Sequence, residues 1–180
     1  MRVFIAINLP EDIKAKVFHE FEIVQNSGLV TGNFVEKENL HLSLKFLGEV
    51  SEEEIEKIKK KLSEIKFKKL DVEIGKIGFF PDENYIRVIW VDLIADELKK
   101  LNELVEKAMF ALGFNEEKDF TSHITIARIK SIKNKDLLHE KLKKIKLKKL
   151  SFKINKFSLI KSELTPRGPV YKIIKEFELV

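Results

Sequence analysis

Leu40-His41-Leu42-Ser43-Leu44-Lys45-Phe46 alternates apolar and polar residues one by one, and Ser122-His123-Ile124-Thr125-Ile126 does the same later in the chain. Such alternation belongs to strands, where successive side chains take opposite faces. His41 then shares a face with Ser43, and His123 with Thr125; residues two apart lie roughly 6.5 to 7 Å apart. A lone histidine in a strand is ordinarily a satisfied sheet residue. The same His-x-hydroxyl triplet, written twice in a chain with four histidines, points instead to one site assembled from two copies of a unit.

Working outward from these runs, the rest of the chain also reads twice. Arg2-Val3-Phe4-Ile5 is echoed by Arg87-Val88-Ile89-Trp90, each an apolar run dense in β-branched or aromatic residues. A helix follows each. The first spans Glu11 to Val24, opened by Pro10; the second spans Asp96 to Leu112, with Leu98, Leu101, Val105 and Ala108 at helical spacing before Gly113. After each histidine strand comes a second amphipathic helix, Ser51 to Ile65 with Ser51 and Glu54 as a capping box, and Asn134 to Ile145. Each unit closes on a strand that begins Lys68-Lys69-Leu70 or Lys148-Lys149-Leu150. The spacing agrees: 39 residues from Arg2 to His41 and 36 from Arg87 to His123, then 29 and 27 on to the closing leucines. Gly78 to Pro81 and Pro166 to Pro169 read as loops, and Val170 to Val180 as one further strand. The expected fold is α+β and internally duplicated, with repeats of about 1–85 and 86–180 in a single bilobal domain. Its two pseudo-twofold-related lobes would line a central cleft with antiparallel sheets and carry the helices outside.

Composition narrows the chemistry. At 180 residues, 44% of them hydrophobic, the chain has the material for one cored domain, and a net charge of +5 mildly favours polyanionic partners such as nucleic acid. The absence of cysteine excludes disulfides, thiolate metal sites and cysteine nucleophiles, and fits an intracellular, cytoplasmic protein. The apolar run Val3 to Ile7 is too short for a signal core or a membrane span, so no membrane association is expected. Arginine appears only at Arg2, Arg87, Arg128 and Arg167, and a surface of lysine and glutamate suggests heat adaptation. A monomer is expected.

Two imidazoles that titrate near neutral pH can act together, one as neutral base and one as protonated acid. With Ser43 and Thr125 beside them they outline a reaction site. His19 and His139 lack a partner motif and fall to surface or packing roles. No third histidine or nearby carboxylate repeats with the pair, so no metal and no cofactor are expected.

On these residues the chain resembles the 2H phosphoesterase superfamily, whose paired His-x-Thr/Ser-x motifs look like His41-Leu42-Ser43-Leu44 and His123-Ile124-Thr125-Ile126. Within it, the flanks Arg2-Val3-Phe4-Ile5-Ala6, Asn39-Leu40-His41, Lys45-Phe46-Leu47-Gly48, Phe79-Phe80-Pro81 and Arg87-Val88-Ile89-Trp90 are similar to the RNA 2′,3′-cyclic phosphodiesterases, also called 2′-5′ RNA ligases. Ser43 departs from the usual threonine, keeping the hydroxyl and losing a methyl that stiffens the rotamer.

The resemblance implies metal-independent hydrolysis of an RNA 2′,3′-cyclic phosphate to a 2′-phosphate. His123 is the implied proton acceptor and His41 the implied proton donor, with Ser43 and Thr125 bonding the non-bridging phosphate oxygens. An RNA 5′-hydroxyl in place of water would give a 2′-5′ linkage. RNA ends, tRNA fragments among them, are the implied partners. Two readings stay open beside it: a small cyclic nucleotide or ADP-ribose cyclic phosphate as substrate, and a non-catalytic RNA-end binding module.

Further candidates surround the pair. Arg128 matches a basic position of the family and would bind phosphate, although strict alternation from His123 turns it away unless the strand bulges near Ala127. Phe46, Phe79 and Phe80 are candidates to stack on a terminal base, with the core the expected place for Phe46. Arg2 and Arg87 are expected to be structural, and Lys141 to Lys149 a solvated face that adds weak phosphate contacts at most.

Overall fold

The computed structural model describes residues 1–147, 149–166 and 168–180. The chain runs β1 (Arg2–Asn8), α1 (Glu11–Gln25), β2 (Val30–Phe34), a 3₁₀ turn (Lys37–Asn39), β3 (His41–Glu49), α2 (Glu52–Ser63) and β4 (Leu70–Pro81). It continues with β5 (Ile86–Ile94), α3 (Asp96–Phe110), β6 (His123–Ile132), α4 (Lys135–Lys143), β7 (Ser151–Ile154), β8 (Lys156–Thr165) and β9 (Gly168–Glu178). The helices form where the apolar spacing places them and stop within a few residues of the expected ends. The Ser51 hydroxyl accepts from the Glu54 N–H at 3.2 Å and the Glu54 carboxylate accepts from the Ser51 N–H at 2.7 Å, closing the capping box at the start of α2.

The strands form a curled antiparallel sheet in the order β7-β4-β5-β6-β3-β1-β8-β9, with β2 also on β6. Its pairings locate the internal twofold. Leu42 of β3 lies opposite Ile124 of β6, each one residue past its histidine. The beginnings of the two closing strands meet in the same way: Leu70 faces Ile154, Val72 faces Phe152, and the Ile74 N–H donates to the Leu150 carbonyl at 2.8 Å. The later parts of the closing strands are exchanged. β4, from the first copy, pairs with β5 of the second, while β8, from the second, pairs with β1 of the first. Since only Asn155 separates β7 from β8, the sequence of pairings returns on itself.

Helices cover one face of this sheet. Ile13, Val17, Phe21 and Val24 of α1, Ile58 and Leu62 of α2, Leu98, Leu101 and Val105 of α3 and Leu138 of α4 are buried in one core with Val3, Ile5 and Ile7 of β1 and their counterparts. The alternate residues of β1 point the other way, where Phe4 and Ala6 make a small second cluster with Ile160 and Tyr171. The sheet therefore has a helix-covered face and a face left for a ligand.

Four sequence expectations change. Gly78 to Pro81 is no loop but the end of β4: a Cβ on Gly78 would enter the Trp90 indole, and Pro81 sits at the strand terminus, where an N–H is dispensable. Pro166 is in a turn, but Gly168 and Pro169 already open β9. β2 was not foreseen, because Val30-Thr31-Gly32-Asn33-Phe34 reads as a turn-rich stretch. Finally, the echo of Arg2 in Arg87 is one residue out of register: Phe4 faces Phe46 and Val88 faces Arg128, so Val88 is the counterpart of Phe4. An apolar run buried over most of its length carries no alternation to fix the register. Lys148, at the expected start of the second closing strand, and Arg167, in the expected loop, lie outside the described residues.

Candidate active site

β3 and β6 bury their residues in the same order, position for position, from His41 to Gly48 and from His123 to Lys130. Each begins with the expected alternation and then breaks it with two consecutive buried residues, Leu44-Lys45 and Ile126-Ala127. The break is a β-bulge. Ala6 pairs with Ser43 but Ile5 with Lys45, and Trp90 pairs with Thr125 but Ile89 with Ala127, so Leu44 and Ile126 are the extra residues. The following side chain returns to the histidine face. That places Arg128 in the cleft, and it places Phe46 there too: 58% exposed and stacked on Phe4 at 5.8 Å, it is not the core residue expected from its strand position.

The cleft has a volume of about 930 Å³, and His41, Ser43, Phe46, His123, Thr125 and Arg128 all line it. The two motifs thus come together from strands that meet at Leu42 and Ile124. Each imidazole is held alike. His41 donates Nδ1–H to the Asn39 carbonyl at 2.6 Å, and His123 donates Nδ1–H to the Thr121 carbonyl at 2.7 Å, since a carbonyl can only accept. Nε2 is left for chemistry; at His41 it lies 3.0 Å from the Ser43 hydroxyl. Aromatic rings wall both sides. Phe4 and Tyr171 flank His41 at 5.1 and 5.4 Å, and Phe80 and Trp90 flank His123 at 5.1 and 5.8 Å.

Burial holds both imidazoles below their ordinary pKa. At His41 the carbonyl of Asn39 opposes the effect, while the charges of Lys14 and His123 add to it. At His123 the Thr121 carbonyl opposes it, Arg128 adds to it, and Asp92 opposes it in turn. Asp92 is opposite His123 on the neighbouring strand, where the first copy has Asn8 opposite His41. The two halves are therefore matched in shape and unequal in charge.

Of the other candidates, Phe80 borders the reacting centre. Phe80 packs on His123 and Trp90, but Phe79 packs on His139 at 5.6 Å. His19 is exposed and bonded to Glu22. Arg87 lies over the Tyr85 ring and donates to the Lys130 carbonyl, and Arg2 is exposed at the head of β1. Among the described residues of the run 141–149, none lines the cleft. Among all the described residues, no group of three or more His, Cys, Asp or Glu could hold a metal. Sequence reasoning missed the roles of Asn39 and Thr121, because both act through a backbone carbonyl and their unlike side chains carry no shared signal. It also missed Asp92, Trp90 and Tyr171, which reach the site only through strand pairing.

Comparison with known proteins gives concordant matches. The family model described as LigT-like phosphoesterase matches twice, over residues 7–90 and 91–171. A Methanocaldococcus jannaschii protein named RNA 2′,3′-cyclic phosphodiesterase is 38% identical over 98% of this chain and 100% of its own length, and an Archaeoglobus fulgidus protein of the same name is 35% identical over 99% and 100%. A crystal structure of a Thermus thermophilus protein superposes with a TM-score of 0.84 at 28% identity, over 99% of this chain and 98% of that one.

Proposed function

Because the chain belongs to the LigT-like phosphoesterases of the 2H superfamily, we propose that it hydrolyses RNA 2′,3′-cyclic phosphate ends to 2′-phosphates with the two imidazoles as acid and base. The observation that carries this reading is the pair of Nε2 atoms, each presented by the same carbonyl device on either side of the internal twofold and each with a hydroxyl on its own strand face. In-line displacement at phosphorus needs a base on one side and an acid on the other. His123 takes a proton from water as the water oxygen bonds to phosphorus. The bond from phosphorus to the 3′-oxygen breaks, and His41 gives that oxygen its proton. Asp92, opposite His123, supports this direction, because the imidazolium forms there during attack and a nearby carboxylate stabilises it.

Ser43 and Thr125 donate to the non-bridging oxygens, and Arg128 supplies the fixed positive charge that the pentavalent centre calls for. Phe46 offers a flat exposed ring beside Phe4, suited to a base. A cleft of about 930 Å³ is at the upper end of small-molecule pockets, roughly 300 to 1,000 Å³, and accepts an RNA end of more than one nucleotide. An RNA 5′-hydroxyl that replaced water would be joined through a 2′-5′ linkage by the same transfers.

The test is a short RNA bearing a 2′,3′-cyclic phosphate, incubated with protein and a metal chelator, the product's phosphate position being read by mass spectrometry after selective digestion. A 2′-phosphate is expected. A strict need for divalent metal, or a 3′-phosphate product, would refute the mechanism. A second arm uses a 3′-sulfur leaving atom, which departs without protonation: His41→Ala should lose about 10² to 10⁴ in rate on oxygen and recover on sulfur, and His123→Ala should not recover.

A further inference from the structure

The two bulges are bonded by different means. In β6 the Ile126 carbonyl accepts from the Val35 N–H at 2.8 Å, and β2 lies along the same strand. The run that leads to Asn39, the residue that holds His41, is thereby fastened to the other copy's histidine strand by backbone bonds. In the second copy the matching run, 114–121, leads to Thr121, which holds His123, and it forms no strand. A buried ion pair stands where the ladder would be. Lys45, in the position that Ala127 takes in β6, donates from Nζ to Glu106 Oε2 at 2.7 Å and to the Asn115 carbonyl at 2.8 Å. The same Oε2 accepts from the Glu117 N–H at 3.1 Å. Lys45 and Glu106 are 2% and 3% exposed.

A buried ion pair is weak evidence for added stability, because desolvation offsets its attraction; what it adds over apolar packing is direction. Here the direction is toward one backbone run. We propose that Lys45 and Glu106 are positioning residues for His123, clamping Asn115 to Glu117 onto β3 and so fixing the Thr121 carbonyl that sets the tautomer and aim of the imidazole. Each histidine is thus braced from the strand that carries the other. The run before His41 is fastened to β6 by backbone bonds, with Lys14 Nζ also donating to the Glu38 carbonyl, whereas the run before His123 is held to β3 by the ion pair and, at Ser122, to Leu93 of β5; loss of the pair therefore loosens the His123 side and not the His41 side.

The test reads ring-nitrogen shifts of ¹⁵N-labelled histidines above pH 7 in the wild type and in Lys45→Met/Glu106→Leu, where an apolar pair replaces the ionic one and circular dichroism checks the fold. His41 and His123 should both show the Nδ1–H tautomer in the wild type. In the variant His123 should move to the mixture of free imidazole, with His41 unchanged. Only the kinetic arm rests on the proposed reaction: kcat should fall about 10-fold, as for a slightly misplaced catalytic group, with KM within about twofold.

A folded variant whose His123 keeps the wild-type tautomer overturns the inference, and so does an equal change at His41. Should the core substitutions fail to fold, Glu117→Pro removes one bond of the brace from an exposed position and is expected to shift His123 in the same direction; no shift overturns it as well. A wild type inactive on cyclic phosphate ends refutes the reaction and leaves the tautomer measurement to decide the brace.

Discussion

A carbonyl two residues before each histidine commits Nδ1 to donation, and burial then weighs against a charge on the ring. Both imidazoles are held below 6.5, so near neutral pH the unliganded protein carries them mainly as bases. A reaction that needs one of them protonated loses rate as pH rises through the upper of the pair's two apparent values. The expected kcat/KM profile is a bell with its optimum on the acid side of neutrality and a falling limb across neutral pH; an optimum on the alkaline side in steady-state kinetics contradicts it. The linked stability has a definite sign. A pKa lowered by folding means that the unfolded chain binds more protons, so this contribution is complete above the unfolded value and is lost as pH falls through the folded ones.

β6 shows what an element adds to its residues. A regular strand from His123 would turn the Arg128 side chain to the helix-covered face, and the extra residue at Ile126 turns it back. Arg128→Gln is therefore expected to cost kcat/KM about 10- to 100-fold on RNA ends, the range for a lost hydrogen bond to a charged group. It should also raise the His123 pKa, because the guanidinium charge is one of its depressors; titration by NMR reads this directly, and an unmoved His123 would place Arg128 outside the site. The sequence showed why Arg128 was in doubt, since alternation and bulge are both visible as pattern, but not which applied. Two apolar residues in a row mark a bulge only once a partner strand supplies the register. The helices, the histidine strands and their face were legible from period alone. Tyr171 and Asp92 were not, because their place depends on pairing across distant parts of the chain. Phe46 was expected in the core by the same alternation that left Arg128, its counterpart in the second copy, in doubt.

At the scale of the whole molecule, the exchanged closing strands make the two copies interdependent. β4 completes the sheet of β5 and β6, and β8 completes that of β1 and β3. Cutting the exposed turn between Pro81 and Ile86 and producing residues 1–83 and 84–180 separately should give halves that neither fold as monomers nor turn over substrate, and that regain activity when refolded together. Light scattering and the cyclic phosphate assay check this; a half that is monomeric and cooperatively folded alone contradicts it. The exchange also bears on how two like groups came to differ. A symmetric pair of identical half-length chains would carry the same neighbour beside each imidazole, and any change would strike both sites at once. Joined in one chain, the halves are free to diverge, and Asn8 against Asp92, or Ala127 against Lys45, is asymmetry that no homodimer could encode.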